Sequence, residues 1–200
     1  MRILICCILL GLSLAVNAQS FLKKNILLDM GIDVGTYQTQ GKETATGKKI
    51  KDGTVGSVFH TGAEYAISDY LGIGAQLRTN NYSTDNDTAS AKNTDFSLLA
   101  NIHFLRTNYF NLYFGMKYGT SHFSYDNTKN QTTFSADGSH FQIDLGANLF
   151  VSKYFGFTLH TAYNNLHYTN GNIIRPSAPP IIYRLHFNGA NIGIGMVGKF

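Results

Sequence analysis

Cysteine is almost missing. The chain of 200 residues holds two, Cys6 and Cys7, both among its first ten residues. Beyond them there is no disulfide, no thiol nucleophile and no thiolate metal site. Tryptophan is absent, and proline occurs only three times. Charged side chains make up 14% of the chain, well under the usual quarter. That density is too low for a nucleic-acid-binding surface, and the aromatic content of 13% is too high for a disordered chain. The formal charge of +4 is scattered and names no partner. After residue 18 no run comes near the ~20 apolar residues that a transmembrane helix needs.

What is present begins with a targeting segment. Met1-Arg2 gives a short positive start, Ile3 to Leu10 an unbroken apolar run, and Val16-Asn17-Ala18 a small-residue exit. This reads as a secretory signal peptide cut after Ala18, too short to span a bilayer comfortably. Residues 19–200 then form one domain without cysteine, within the usual size of a single all-β unit.

The dominant signal in that domain is a period of 2. Eight segments alternate apolar with polar residues: about Asn25 to Tyr37, Thr54 to Ser68, Leu71 to Tyr82, Thr94 to Arg106, Asn111 to Tyr125, Ser139 to Val151, Tyr154 to Tyr168 and Tyr183 to Phe200. Alternation with aromatic enrichment marks each as a strand. One face is apolar, for example Ile26, Leu28, Met30, Ile32 and Val34 in the first segment. The other is glycine and polar, as in Gly72, Gly74, Gln76, Arg78 and Asn80 of the third. A soluble sandwich would bury the apolar face, but its strands are shorter, and a water-facing strand prefers Thr, Lys or Glu to glycine. Glycine and small polar residues fit the interior of a narrow closed barrel whose apolar face looks at lipid.

The connections alternate in length. Residues 38–53, 83–93, 126–138 and 169–182 are long, whereas Asp69-Tyr70, residues 107–110 and Ser152-Lys153 are short. An even-stranded outer-membrane barrel has long extracellular loops and short periplasmic turns. The expectation is therefore an all-β, eight-stranded antiparallel transmembrane barrel of up-and-down topology. Aromatic residues cluster near the strand ends: Tyr70, Tyr109, Phe110, Tyr154 and Phe155 at the short turns, and Tyr37, Tyr82, Tyr125, Tyr163 and Tyr168 near the long loops. They are expected to form two interfacial girdles.

The signal peptide, the eight strands, the turns Ser68-Asp69-Tyr70-Leu71-Gly72 and Ser152-Lys153-Tyr154-Phe155-Gly156, and the closing Ile192-Gly193-Ile194-Gly195-Met196-Val197-Gly198-Lys199-Phe200 carry a resemblance over residues 19–200. The chain resembles the small outer-membrane β-barrel (porin-family) proteins common in Bacteroidota, similar in architecture to the OmpX and OmpA transmembrane barrels. The resemblance implies an outer-membrane location in a Gram-negative envelope, contact with outer-membrane lipid and lipopolysaccharide, and delivery by periplasmic chaperones to the barrel-assembly machinery. It makes Phe200 the assembly signal, although the aromatic the family often has two residues earlier is replaced by Gly198.

Candidate chemistry lies on the polar face. Alternation turns Asp29, Asp33, Glu64, Arg78, Lys117, Asp144 and Lys199 inward. Eight strands leave an interior that side chains just fill, and a buried lone charge is costly. A lumen charge network is expected, with Glu64 meeting Arg78 or Lys117, and Asp144 meeting Lys117. Of seven histidines, His60, His103 and His160 point inward by parity, and His122, His140, His167 and His186 fall near the outer rim. No spacing along one strand holds a metal, so no metal, cofactor or catalytic residue is expected. The leading reading is a non-enzymatic, monomeric structural or surface-interaction barrel with a plugged lumen and an extracellular ligand at its loops. A narrow small-solute channel is the alternative. A lipid A-modifying enzyme is a third class, with His122 and Ser124 on one face near the rim. Lys48-Lys49-Ile50-Lys51 offers charge to lipopolysaccharide phosphates.

Overall fold

The computed structural model describes residues 20–84, 87–175 and 178–200. The signal-peptide reading of residues 1–18 and the loop proline Pro176 lie outside the described residues. Among the described residues the strands are β1 (Ile26–Glu43), β2 (Lys49–Ala66), β3 (Leu71–Tyr82), β4 (Ala89–Arg106), β5 (Phe110–Asn127), β6 (Thr132–Phe150), β7 (Phe155–Arg175) and β8 (Ala178–Lys199). They form a closed antiparallel ring in chain order. The seam is the β1–β8 pair, in register from Leu27 opposite Lys199 to Glu43 opposite Tyr183. Closure leaves no edge strand around the ring, and at the end away from the tight turns β2 runs past the shorter β3, whose pairing with it begins at Gly56 opposite Tyr82.

The turns at one end share one device. Ser68 Oγ accepts from the amides of Tyr70 and Leu71, and Ser152 Oγ from those of Tyr154 and Phe155. Thr107 Oγ1 likewise accepts from the Phe110 amide at 3.0 Å. A hydroxyl that mimics a backbone turn lets the chain reverse in a few residues.

Alternation fixes the two faces. Ile32, Val34, Leu77, Leu98, Leu145, Leu159, Ile192 and Ile194 are exposed on the outside, while Arg78, Asn101, Lys117, Gln142, Asp144, His160 and Asn191 are buried in the lumen. On β1, β4 and β7 the outward apolar positions run from Ile26 to Val34, Phe96 to Phe104 and Phe155 to Tyr163. Nine or so tilted residues suffice to cross a bilayer.

Past that belt the strands continue and the pattern inverts. Outward positions become polar: Gln38, Gln40 and Lys42 on β1, His122 and Ser124 on β5, Ser135 and Asp137 on β6. Inward positions become apolar: Tyr37, Tyr82, Phe123, Phe134, Ala136, Leu166, Tyr168 and Phe187 form one buried cluster, flanked by Tyr125, Tyr183 and Leu185. Around lipid the apolar side faces out, and around water it faces in.

This inversion corrects two expectations. The segments 38–53, 126–138 and 169–182 are mainly strand: β1 and β2 are joined by residues 44–48, and β5 and β6 by residues 128–131. Their polar composition reflects water on the outside of a continuing ladder. Of the five tyrosines expected in the upper girdle, Tyr163 is exposed, whereas Tyr37, Tyr82 and Tyr168 are buried inside and Tyr125 packs against them. Tyr37 keeps the parity of Asp33 and Gly35, so the alternation itself turns it inward. At the turn end Tyr70, Tyr109, Tyr154 and Phe155 are exposed as a girdle requires.

The segment before β1 enters the barrel mouth at the turn end. The Ser20 amide donates to Thr107 O at 2.6 Å and its hydroxyl to Phe110 O at 2.9 Å. Phe21 is fully buried there with Leu27, Ala66, Phe150 and Val197.

Candidate functional site

Buried charged groups converge in the lumen, and its contents form layers. At the turn end Phe21 stacks on the His103 ring, centroids 3.6 Å apart. His103 Nε2 lies 2.6 Å from Glu64 Oε1, and Asn101 Nδ2 donates to Glu64 Oε2 at 2.7 Å. The other His103 nitrogen meets the Asn111 amide at 3.0 Å or less.

Deeper in, Lys117 Nζ lies 3.4 Å from Asp144 Oδ2, on neighbouring strands β5 and β6. Across the lumen Asp33 stands between His60 and His160, 3.2 Å from a nitrogen of each, and accepts from Asn191 Nδ2 at 2.5 Å. Asp29 is 3.6 Å from His60. A cavity of about 30 Å³ opens among Asp29, His60, Glu64, Lys117, Asn148 and His160, enough for roughly two waters.

The next layer centres on Arg78. Its guanidinium donates to Gln142 Oε1 at 2.8 Å, to Asn164 Oδ1 and to Tyr37 OH at 3.3 Å, and sits 2.9 Å from His140 Nε2. Asp95, directly opposite Arg78 in the β3–β4 register, is its carboxylate partner, with Arg78 Nε 3.9 Å away. Asn93 Nδ2 holds that carboxylate at 2.5 Å. Above this layer the aromatic cluster fills the barrel.

The structure thus brings Lys117 to Asp144, and sets Asp29 and Asp33 around His60. It does not bring Glu64 to Arg78. Glu64 sits opposite Gly74, four residues down β3 from Arg78, a separation of about 13 Å along the strand. Lys199 is not in the network either: at the last residue of β8 it lies half-exposed at the rim, its ammonium 4.7 Å from the Phe150 ring centre. Phe200 is exposed, and its backbone pairs with Ile26 at 2.9 Å.

Asp95 and His140 are lumen members that the sequence reading does not name as inward. Asp95 shares the parity of Ser97 and Asn101, so the alternation of β4 was a sufficient signal. His140, expected near the outer rim, is fully buried and bridges Ser97 and Arg78. It has the parity of Gln142 and Asp144, and β6 extends well above it. Outside the barrel, His122 Nδ1 lies 2.6 Å from Asp137 Oδ1, both exposed. Ser124, on the same face, donates to Lys92 O at 3.5 Å.

Comparison with known proteins is consistent with this architecture. The family model described as "Outer membrane protein beta-barrel domain" matches residues 4–200. No curated protein sequence matches the chain. Among solved structures, the outer membrane protein OprG from Pseudomonas aeruginosa is similar with a TM-score of 0.62 at 15% identity, over 92% of this chain and 99% of that one. AlkL, an outer membrane protein solved in lipid bilayers, gives 0.56 at 9% identity over 92% and 94%. The outer membrane protease OmpT from Escherichia coli gives 0.52 at 11% over 92% and 99%. At these identities the likeness concerns the fold.

Proposed function

The chain belongs to the outer membrane protein beta-barrel domain family, and from that premise we propose a monomeric, non-enzymatic barrel that does not conduct and acts through its extracellular surface. Its place is the outer membrane, where lipid surrounds the apolar belt. The observation that carries the reading is the filled lumen. Phe21 caps the periplasmic mouth, an aromatic cluster fills the extracellular half, and the cavity between them is about 30 Å³. A hydrated ion needs a continuous water path, and the layers offer side chains bonded to one another instead. The short turns further support kinship with the Bacteroidota-type barrels resembling OmpX and OmpA.

The surface partner is read from charge. Lys49 on β2, Lys42 on β1 and Arg184 on β8 stand directly opposite one another across three strands, all exposed. Lys51 continues the row. Like charges in direct cross-strand register repel, and an anion between them relieves that cost. The row stands roughly 20 Å above the apolar belt, taking eight residues from Val34 to Lys42 at the strand rise and barrel tilt. Phosphates in the sugar layer of lipopolysaccharide fit this height and charge. The hydrolytic reading rests on the His122–Asp137 pair alone, since Ser124 is turned to a backbone carbonyl.

Planar-bilayer recording tests the first part. The purified protein is expected to give no current above the bilayer background, and a steady, salt-dependent conductance would overturn the plugged reading in favour of the channel. Pull-down on vesicles with intact or dephosphorylated lipopolysaccharide tests the second. Binding by the surface row should fall when phosphate is removed and when Lys42, Lys49 and Arg184 are changed to Gln, and indifference to both changes rejects it.

A further inference from the structure

We propose that Asp33, His60 and His160 bind one divalent transition-metal ion of the zinc type inside the barrel. The three come from β1, β2 and β7, and all are buried. Asp33 Oδ1 is 3.2 Å from His60 Nδ1 and 3.2 Å from His160 Nε2, and the three ligand atoms lie within 4.8 Å of one another. Bonds of 2.0–2.1 Å in a tetrahedral zinc site place ligand atoms about 3.4 Å apart, so two edges of that figure are already in place.

Direct hydrogen bonding does not account for the arrangement. Neither imidazole approach has hydrogen-bond geometry, and Asp33 Oδ1 is a buried acceptor without a hydrogen-bond partner. An acceptor so placed costs free energy unless something positive occupies the space beside it.

The surroundings are those of a metal site. Asn191 Nδ2 donates to the other Asp33 oxygen at 2.5 Å, and Asn164 Nδ2 donates to Asn191 Oδ1 at 2.5 Å, which fixes the carboxylate. Asp29 Oδ2 stands 3.6 Å from the far nitrogen of His60. A carboxylate behind a ligating imidazole orients it and raises its basicity. Two glycines clear the rings: a Cβ on Gly31 would meet His60 Cε1 at 2.7 Å, and one on Gly193 would meet His160 Cε1 at 2.8 Å.

Charge balance favours a cation. Among the described residues the lumen carries five carboxylates, Asp29, Asp33, Glu64, Asp95 and Asp144, against two permanent cations, Arg78 and Lys117. The carboxyl groups outnumber these cations by three, and a bound divalent ion supplies positive charge to an interior where uncompensated negative charge is expensive. His60, His160 and Asp29 also border the lumen cavity, which leaves room for a water as a fourth ligand. Two imidazoles and one carboxylate suit zinc and its first-row neighbours better than magnesium or calcium.

The ion would tie β1 and β2 to β7 across the seam that closes the ring, so its effect is on barrel stability as well as composition. The test uses the whole mature chain with His122→Gln, His167→Gln and His186→Gln, which removes histidines at the outer rim. The protein is refolded at neutral pH with zinc, then passed over a desalting column. Expected are one zinc per chain, a zinc X-ray absorption spectrum with two imidazoles, and a higher unfolding midpoint than after chelator treatment. His60→Gln with His160→Gln should lower occupancy at least tenfold, and Asp29→Asn should weaken binding roughly tenfold. Substoichiometric zinc, or equal zinc in the His60→Gln/His160→Gln protein, overturns the site. If that variant does not fold, the spectrum of the parent decides, and fewer than two imidazoles rejects the proposal.

Discussion

Arg78 shows what single residues reveal. Its inward direction follows from parity alone, as does that of Glu64, Lys117 and Asp144. Its partner does not, because the partner depends on register across strands, and register is set by turn geometry and ring closure together. The shared inward parity of β2 and β3 suggests Glu64 as a partner for Arg78, whereas the ladder sets Asp95 directly opposite and leaves Glu64 to His103 and Asn101. Lys117 and Asp144 were legible because adjacent strands carry them at nearly one level, with Asp144 opposite Gly115, two residues from Lys117. The pairing is open to a double-mutant cycle. Arg78→Met or Asp95→Asn alone should each cost about 3–5 kcal/mol, since each strands a buried charge. The double variant should cost clearly less than both together. Arg78→Met with Glu64→Gln should be additive to within about 0.5 kcal/mol. Urea unfolding in lipid vesicles measures all of these, and coupling to Glu64 without coupling to Asp95 would refute the register.

At the scale of the strand, the legible portion was the part that touches lipid. There the alternation is strong, because an apolar side chain must face outward at every second position. Beyond the belt the outward face turns to Gln, Lys, Ser and Asn, and such a stretch reads as loop even though the ladder runs on from Ile26 opposite Tyr65 up to Lys42 opposite Lys49. Position near the strand ends suggests girdles for the aromatic residues there, whereas their parity turns Tyr37, Tyr82 and Tyr168 into the barrel. Phe21 left no periodic signal, since it precedes β1 and docks by tertiary contact. Two substitutions separate the two regimes. Leu145→Arg, exposed in the belt, should cost about 2–4 kcal/mol by placing a guanidinium against lipid. Phe123→Ala, buried above the belt, should cost about 3–5 kcal/mol as a core truncation does, while Phe96→Ala on the lipid side should cost much less. Vesicle-based unfolding that ranks Phe96→Ala with Phe123→Ala would contradict the inversion of faces above the belt.

For the molecule as a whole, the described strands close into a ring whose lumen holds paired polar and charged side chains, and along its longer strands the environment changes from lipid to water. That crossover sets a length. About nine residues at 3.3 Å per residue, tilted by roughly 40°, make a belt about 23 Å tall, below the ~30 Å hydrocarbon core of a typical bilayer and close to the band of outer-membrane barrels. Tilting the barrel would only shorten the span it covers, and sliding it would only move the shortfall from one rim to the other. A thick membrane must therefore thin around the protein, at a cost that rises with each ångström of mismatch. Folding yields should then fall from short-chain to long-chain phosphatidylcholine vesicles, read by proteolytic protection, and equal yields would contradict the assigned belt. In a cell with two bilayers of unequal thickness, the same mismatch acts as a sorting penalty: the chain is costly to strand in the thicker inner membrane and settles where the lipid is thin enough to match it.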